Sequence, residues 1–203
     1  HVFIMEKLAH VDDLGYFLML VVFLHGTVTF KIEYFMTSLS SSTIWPHQNT
    51  WALYLHIPFC HSICHYCDFA KTSRYLERDV AEYIDKTSAW FMAFVKELKL
   101  AEQGVRFHSV FFGGGTPGIL ASEYEPLLEK IRPWLCRGAE ISLECNPEDA
   151  VTDRPAIWRQ LGFNRVSMGV QTFHPDGLKK LTRNHSPELA RDGVTNLNEY
   201  FKN

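Results

Sequence analysis

Between residues 51 and 200 the chain alternates strand-like and helix-like segments four times, which predicts an α/β fold: a parallel sheet with outer helices, forming part of a (β/α) barrel. Two further observations support this class. The first strand candidate, Trp51–Ile57, is a continuous apolar and aromatic run rather than an alternating one, as a strand covered on both faces must be. The unusual motifs all follow strand candidates, where the loops of parallel folds carry chemistry. Four units are about half of a complete eight-unit barrel, which needs roughly 250 residues. The chain ends on a helix, so it reads as the N-terminal portion of a barrel, truncated at the C-terminus.

In order, the strand at Trp51–Ile57 stops at Pro58 and leads into a cysteine-rich loop. Asp79–Gln103 reads as a long helix, with Val80, Ile84, Phe91, Phe94, Val95 and Leu98 at helical spacing and Gly104 as its stop. His108–Phe112 is a second strand entering Gly113-Gly114-Gly115-Thr116-Pro117. Ser122–Leu135 is a helix with Ser122 and Glu125 in capping-box register. Ile141–Cys145 is a third strand, ending at Asn146-Pro147. A short helix over Asp153–Leu161 follows, with Asp153 as cap and Pro155 in its first turn. Arg165–Val170 is the fourth strand. A short helix near Asp176–Leu181 precedes a last one that opens at Ser186-Pro187-Glu188 and runs toward Tyr200.

Residues 1–50 stand apart as an N-terminal extension to the portion 51–203. The apolar run Leu14–Leu24 is short for a membrane span, which takes about 20 residues, and Asp12 and Asp13 are the wrong flank for a secretory signal. A buried helix or strand fits it. Met36 opens a polar lead-in, so translation is expected to start there, with residues 1–35 as upstream, non-native sequence. A hydrophobic share of 46% with 21% charged residues fits a soluble globular class. A net charge of −3, with Lys and Arg scattered, gives no sign of a nucleic-acid partner.

Cys60, Cys64 and Cys67 form a C-x3-C-x2-C set. Three thiolates can hold three irons of a cubane, for which four cysteines are the usual set, and so leave one iron open for chemistry. A zinc knot helped by His61 and His65 is the rival. The triple glycine lets backbone groups approach a ligand closely, although a tight turn would use it too; the Lys-Ser/Thr ending of a phosphate loop is missing. Glu144, at an otherwise apolar strand end, can accept hydrogen bonds from a ribose or an ammonium group, and Gln171 offers both donor and acceptor. Arg183 can meet a carboxylate bidentately or serve as a plain helix C-terminal cation. Cys136 and Cys145 read as buried free thiols.

The segment Tyr54–Cys60, the cysteine run, Phe112–Pro117 and Arg165–Phe173 together resemble the oxygen-independent coproporphyrinogen III oxidase-like branch of the radical S-adenosylmethionine (SAM) superfamily. Oxidases of that branch carry an extra cysteine two places after the third. Phe69 stands there in this chain, which is the form of the HemW-like haem chaperones. The resemblance implies a partial radical SAM barrel with a 4Fe-4S cluster on Cys60, Cys64 and Cys67. It implies a SAM pocket lined by Tyr54, Tyr66, Gly113, Gly114, Gly115, Thr116, Glu144, Gln171 and Arg183. It further implies haem binding and haem transfer to respiratory, including membrane-associated, haemoproteins, in the cytoplasm where thiols stay reduced.

Two departures bear on that expectation. The branch's next strand, with its Asp-Leu-x-x-Gly-Leu-Pro motif, and the C-terminal haem-binding region both fall beyond Asn203. The chain is therefore expected to carry the cluster and SAM half and not to be a competent chaperone by itself. The competing readings are a porphyrin-directed radical SAM enzyme, either a coproporphyrinogen oxidase or a haem-degrading type, and a zinc-stabilised binding module.

Overall fold

The structure is a computed structural model that describes residues 16–20 and 50–202. Five strands form one wholly parallel sheet in chain order: β1 (Tyr16–Leu20), β2 (Thr50–Ile57), β3 (Arg106–Gly114), β4 (Leu135–Cys145) and β5 (Arg165–Met168). The helices are α1 (Glu77–Glu97), α2 (Glu125–Ile131), α3 (Pro147–Ala150), α4 (Arg154–Gln160), α5 (Pro175–Lys180) and α6 (Pro187–Tyr200). The α/β class and the four strand-and-helix units read from the sequence are thus present. Strand order equals chain order, so every crossover carries the chain one place along the sheet and all strand C-termini point to one edge.

β2 is buried along both faces, as its unbroken apolar pattern requires: Trp51, Leu53, Leu55 and Ile57 alternate with the equally buried Ala52, Tyr54 and His56. β1 extends the sheet beyond β2, pairing Tyr16 with Trp51 through Leu20 with Leu55. Of the readings open for the apolar run, Tyr16–Leu20 takes the strand; the rest of that run and Met36 lie outside the described residues. Among the described residues no helix is long and apolar enough to cross a membrane.

α1 lays Val80, Tyr83, Ile84, Phe91, Phe94 and Val95 on the sheet. It ends at Glu97, earlier than its periodicity reads, because Lys99 takes a left-handed φ of 50° and turns the buried Leu100 back into the core. The span read as one helix over Ser122–Leu135 is broken into a 3-10 turn (Ser122–Tyr124), α2 and a second 3-10 turn (Arg132–Trp134). Pro133 denies the last turn an amide donor. The Ser122–Glu125 capping box is not made; Glu123 instead accepts from the Ala121 N–H at 2.7 Å. The third strand starts six residues earlier than expected, at Leu135, and passes a register shift between its pairings Phe107–Leu135 and Ser109–Glu140.

Beneath the strand ends, Phe112, Tyr124 and Phe163 pack edge to face with centroids 4.9–5.7 Å apart. Trp158 closes this cluster, fully buried, with its indole N–H donating to Leu120 O at 2.8 Å. Each such ring removed from water contributes about 1.5–3 kcal/mol, so the loops above stand on a firm base.

Candidate cofactor site at the strand ends

The cysteine loop begins where β2 ends. Phe59, wholly buried, wedges against Tyr75 (4.8 Å between centroids) and Tyr83 (5.4 Å). This fixes the chain one residue before Cys60. The loop then closes on itself: Cys60 N–H donates to Thr72 O at 2.9 Å and Thr72 N–H to Pro58 O at 2.7 Å. Inside it, Cys67 N–H donates to Cys64 O at 3.2 Å, which sets these two cysteines on one turn. The five cysteines are free; Cys60 and Cys145 are buried, whereas Cys64, Cys67 and Cys136 are half-buried. Cys136 departs from the buried expectation because it lies in the irregular first stretch of β4.

The glycine loop is packed more tightly than a turn needs. Gly115 N–H donates to Ile57 O and Thr116 N–H to Phe59 O, both at 2.7 Å, so the loop lies along the end of β2. A Cβ on Gly114, whose φ is +113°, would come within 2.5 Å of the His56 ring; one on Gly115 would come within 2.7 Å of Phe59 O. The glycines thus serve close approach of two strand ends, and Thr116 emerges from them with its hydroxyl donating to Cys60 Sγ at 3.6 Å.

These two loops, the end of β4 and the segments after β5 and α5 enclose a cavity of about 370 Å³. Cys60, Cys64, Cys67, Tyr66, Gly114, Gly115, Thr116, Glu144, Gln171 and Arg183 all line it. Tyr54 and Gly113 do not. Tyr54 is buried behind the glycine loop, stacked on Phe111 at 5.8 Å, with its hydroxyl 3.3 Å from His56 Nδ1. A Cβ on Gly113 would meet the Phe111 and Tyr54 rings, so this glycine seats the aromatic pair.

Glu144 accepts from the Gly114 N–H at 3.3 Å. Burial raises its carboxyl above the usual range, with the Gly114 bond opposing the rise. Burial, then the neighbouring Glu144 carboxylate, pushes the Tyr54 hydroxyl far up, so it stays a neutral donor. Gln171 is held at a left-handed φ of 66°, rare for a side chain with Cβ. Arg183 donates through Nη2 to Asn146 Oδ1 and Gly169 O, both at 2.7 Å, and through Nη1 to Cys64 Sγ at 3.7 Å.

Several contacts around the cavity were not read from the sequence. Asn146 joins Arg183 to Thr116. Lys71 donates to the Cys67 and Phe69 carbonyls. His56 Nε2 stands 2.6 Å from Ala70 O, tying the far side of the cysteine loop to β2. Asn146 was visible as an Asn-Pro step at a strand end, whereas the other two partners carried no signal. His61 and His65 turn to protein partners: His61 Nε2 meets Asp149 Oδ1 at 3.0 Å and His65 Nδ1 meets Thr182 Oγ1 at 3.2 Å.

Among the described residues no three Cys, His, Asp or Glu side chains converge as a single metal ion demands. The three thiols instead line one cavity, with Thr116 and Arg183 donating to two of the sulfurs. Such a donor set, soft and separated, fits a multi-iron cluster.

Residues 54–203 match the family model described as the radical SAM superfamily. Among curated proteins, the heme chaperone HemW of Haemophilus influenzae is 34% identical over 146 residues, covering 70% of this chain and 38% of that protein. HemW of Escherichia coli is 36% identical over 143 residues, covering 69% and 37%. The mitochondrial radical S-adenosyl methionine domain-containing protein 1 of Danio rerio is 35% identical over 163 residues, covering 79% and 36%. Among solved structures, the coproporphyrinogen III oxidase HemN of Escherichia coli, described as a radical SAM enzyme, superposes with a TM-score of 0.65 at 29% identity. That match covers 77% of this chain and 36% of the oxidase. The chain therefore spans little more than a third of the length of these relatives.

Proposed function

This chain belongs to the radical SAM superfamily, and on that premise we propose that it binds a 4Fe-4S cluster and SAM and serves haem delivery as HemW-like chaperones do. The observation that carries this reading is the shared cavity: three cysteines at C-x3-C-x2-C line one space of about 370 Å³ together with Thr116, Glu144, Gln171 and Arg183. Cys60, Cys64 and Cys67 would hold the cluster, which when bound supplies one-electron chemistry and an open iron for the amino and carboxylate groups of SAM.

The chain's own residues divide the remaining work. Glu144, fixed by the Gly114 N–H, presents a carboxylate oxygen to a ribose hydroxyl or ammonium donor. Gln171 offers an amide in the same cavity. Arg183 adds positive charge beside Cys64, favouring anionic sulfur and a ligand carboxylate. Tyr66, 41% exposed, closes the rim over the half-buried thiols. Tyr54 supports from behind, through His56 and Phe111. Haem and its acceptor haemoproteins enter this proposal through the similarity to HemW.

A second reading, a porphyrin-directed radical SAM enzyme, draws on the likeness to HemN. Phe69 weighs against the oxidase form, because it lines the cavity at the position where the extra cysteine would stand. The deciding experiment is anaerobic iron and sulfide reconstitution of the chain, with electron paramagnetic resonance of the reduced protein before and after SAM is added. A reduced-cubane signal that SAM perturbs is expected. Stoichiometric zinc with no cluster would sink the proposal and leave the zinc-stabilised module.

A further inference from the structure

Asn146 lies where two polar chains from different cysteines meet. On one side Thr116 Oγ1 lies 3.6 Å from Cys60 Sγ, and Asn146 Nδ2 lies 3.4 Å from Thr116 Oγ1. On the other, Arg183 reaches Cys64 Sγ with Nη1 (3.7 Å) and Asn146 Oδ1 with Nη2 (2.7 Å). The donor and acceptor capacities leave one consistent arrangement. A guanidinium only donates, so the amide oxygen must face Arg183 and the amide nitrogen must face Thr116. That nitrogen only donates, so the Thr116 oxygen accepts from it. The single hydroxyl proton is then left for Cys60 Sγ.

The backbone keeps the amide at this junction. Asn146 N–H donates to Asp149 Oδ2 at 3.0 Å, Asp149 is wholly buried, and Pro147 fixes the next φ. Neither an aspartate nor an aliphatic side chain could satisfy both neighbours, because only an amide has a donor at one corner and an acceptor at the other.

We propose that Asn146 is a positioning residue for the cysteine-held cluster: it aims the Thr116 hydroxyl proton at Cys60 Sγ while it anchors the Arg183 fork beside Cys64 Sγ. Hydrogen bonds to ligand sulfurs draw electron density from them and raise the reduction potential. Asn146 therefore acts on both sulfurs without touching either. This inference rests on the cluster reading above.

The test is the midpoint potential of the reconstituted full chain, followed by electron paramagnetic resonance in a reductive titration. It compares the wild type, Asn146→Asp, Thr116→Val, Thr116→Ser and the Asn146→Asp/Thr116→Val double variant. Asp is nearly isosteric and keeps the Arg183 contact, but it turns the Thr116 proton away from Cys60 toward its own carboxylate. Asn146→Asp and Thr116→Val are each expected to lower the potential, and Thr116→Ser to hold it near the wild type. The shift from Asn146→Asp should shrink in the Thr116→Val background, where only the added charge remains. Equal Asn146→Asp shifts in both backgrounds would overturn the inference, as would a Thr116→Ser potential equal to that of Thr116→Val. Should Asn146→Asp melt well below the wild type, Asn146→Ala replaces it under the same criterion. A wild-type chain that takes up no cluster would instead overturn the functional reading on which the inference stands.

Discussion

The two neighbouring loops that line the cavity are held in opposite ways. The glycine loop is fixed by backbone: its amides donate to Ile57 O and Phe59 O, and no room is left for a Cβ at Gly113, Gly114 or Gly115. The cysteine loop is mostly exposed, with Ile63, Tyr66 and Phe69 between 41% and 48% open to solvent. Apart from its closing bonds at Cys60 and Thr72 and the internal bonds of Cys67 and Lys71, it is held by side chains from other elements. His61 meets Asp149, His65 meets Thr182, Cys64 meets Arg183, Ser62 meets Asn184, and His56 secures Ala70 O. A loop fixed by close packing is a rigid wall. A loop fixed by separate polar clasps can be loosened one contact at a time.

The largest effect should come from the packed loop. Gly114→Ala forces a Cβ into the His56 ring at a φ of +113°. Left-handed strain costs about 1–3 kcal/mol and overpacking about as much. A destabilisation of about 3 kcal/mol is expected in urea unfolding, with the slope unchanged. Phe69→Ala, in the exposed loop and lacking a core contact, should stay within about 0.5 kcal/mol of the wild type. Equal losses for the two variants would erase the contrast between the loops.

The second effect is a pH-dependent clasp at His56. Tyr54 is a neutral hydroxyl that donates to His56 Nδ1, so the ring's proton sits on Nε2 and is donated to Ala70 O. Burial lowers the pKa of His56 below its ordinary 6.5, the Ala70 bond opposing. A lowered basic group contributes stability that is present above its unfolded pKa and lost as pH falls through the folded one. As pH falls below the ordinary 6.5 the opened loop takes up a proton before the closed one, because protonating Nδ1 in place would break the Tyr54 bond and bury a charge. Amide hydrogen exchange across residues 61–71, corrected for its intrinsic pH dependence, should therefore accelerate as pH falls from 7 to 5 in the wild type. In His56→Gln it should be fast throughout. His108 and His185 are lowered too, so a global melting curve would mix three groups where a local probe does not. A wild-type loop with pH-independent protection would refute the clasp.

This division also decides what could be read from sequence. The cysteine spacing, the glycine run and the strand-end Glu144 and Gln171 are local patterns, and each falls where α/β topology gathers loops at one edge. The β2 strand was legible because burial on both faces writes itself as an unbroken apolar run. Contacts between residues far apart were not. Asn146 and Arg183 are 37 positions apart and His61 and Asp149 are 88 apart, and neither pair has a spacing to detect. Tyr54 was read as a pocket residue, yet the sequence could not say which side of the glycine loop its ring would take. The early end of α1 was hidden because Lys99 adopts a conformation that its type rarely favours. Pro133, which breaks the helix read over Ser122–Leu135, was in plain view and outweighed by apolar periodicity.

The smallest effect is the most specific to the clasped loop. Asn184 Nδ2 donates to Ser62 Oγ at 3.1 Å, and both residues are exposed. Water can replace either partner, so the net worth of the bond is about 0.5 kcal/mol or less. Asn184→Ala should leave the urea midpoint unchanged, because nothing in the aromatic base beneath the strand ends depends on it. The first part of the cysteine loop, however, would lose one of its tethers to the segment after α5. Exchange of the 61–65 amides should then quicken about two-fold, the factor that 0.4 kcal/mol gives for local opening. Ser62→Ala should do the same, and the double variant should add nothing, since both remove one bond. Additive effects of the two single changes, or a fall in global stability of more than about 1 kcal/mol, would mean that this clasp is part of the packed base and that the two loops are not held by different means.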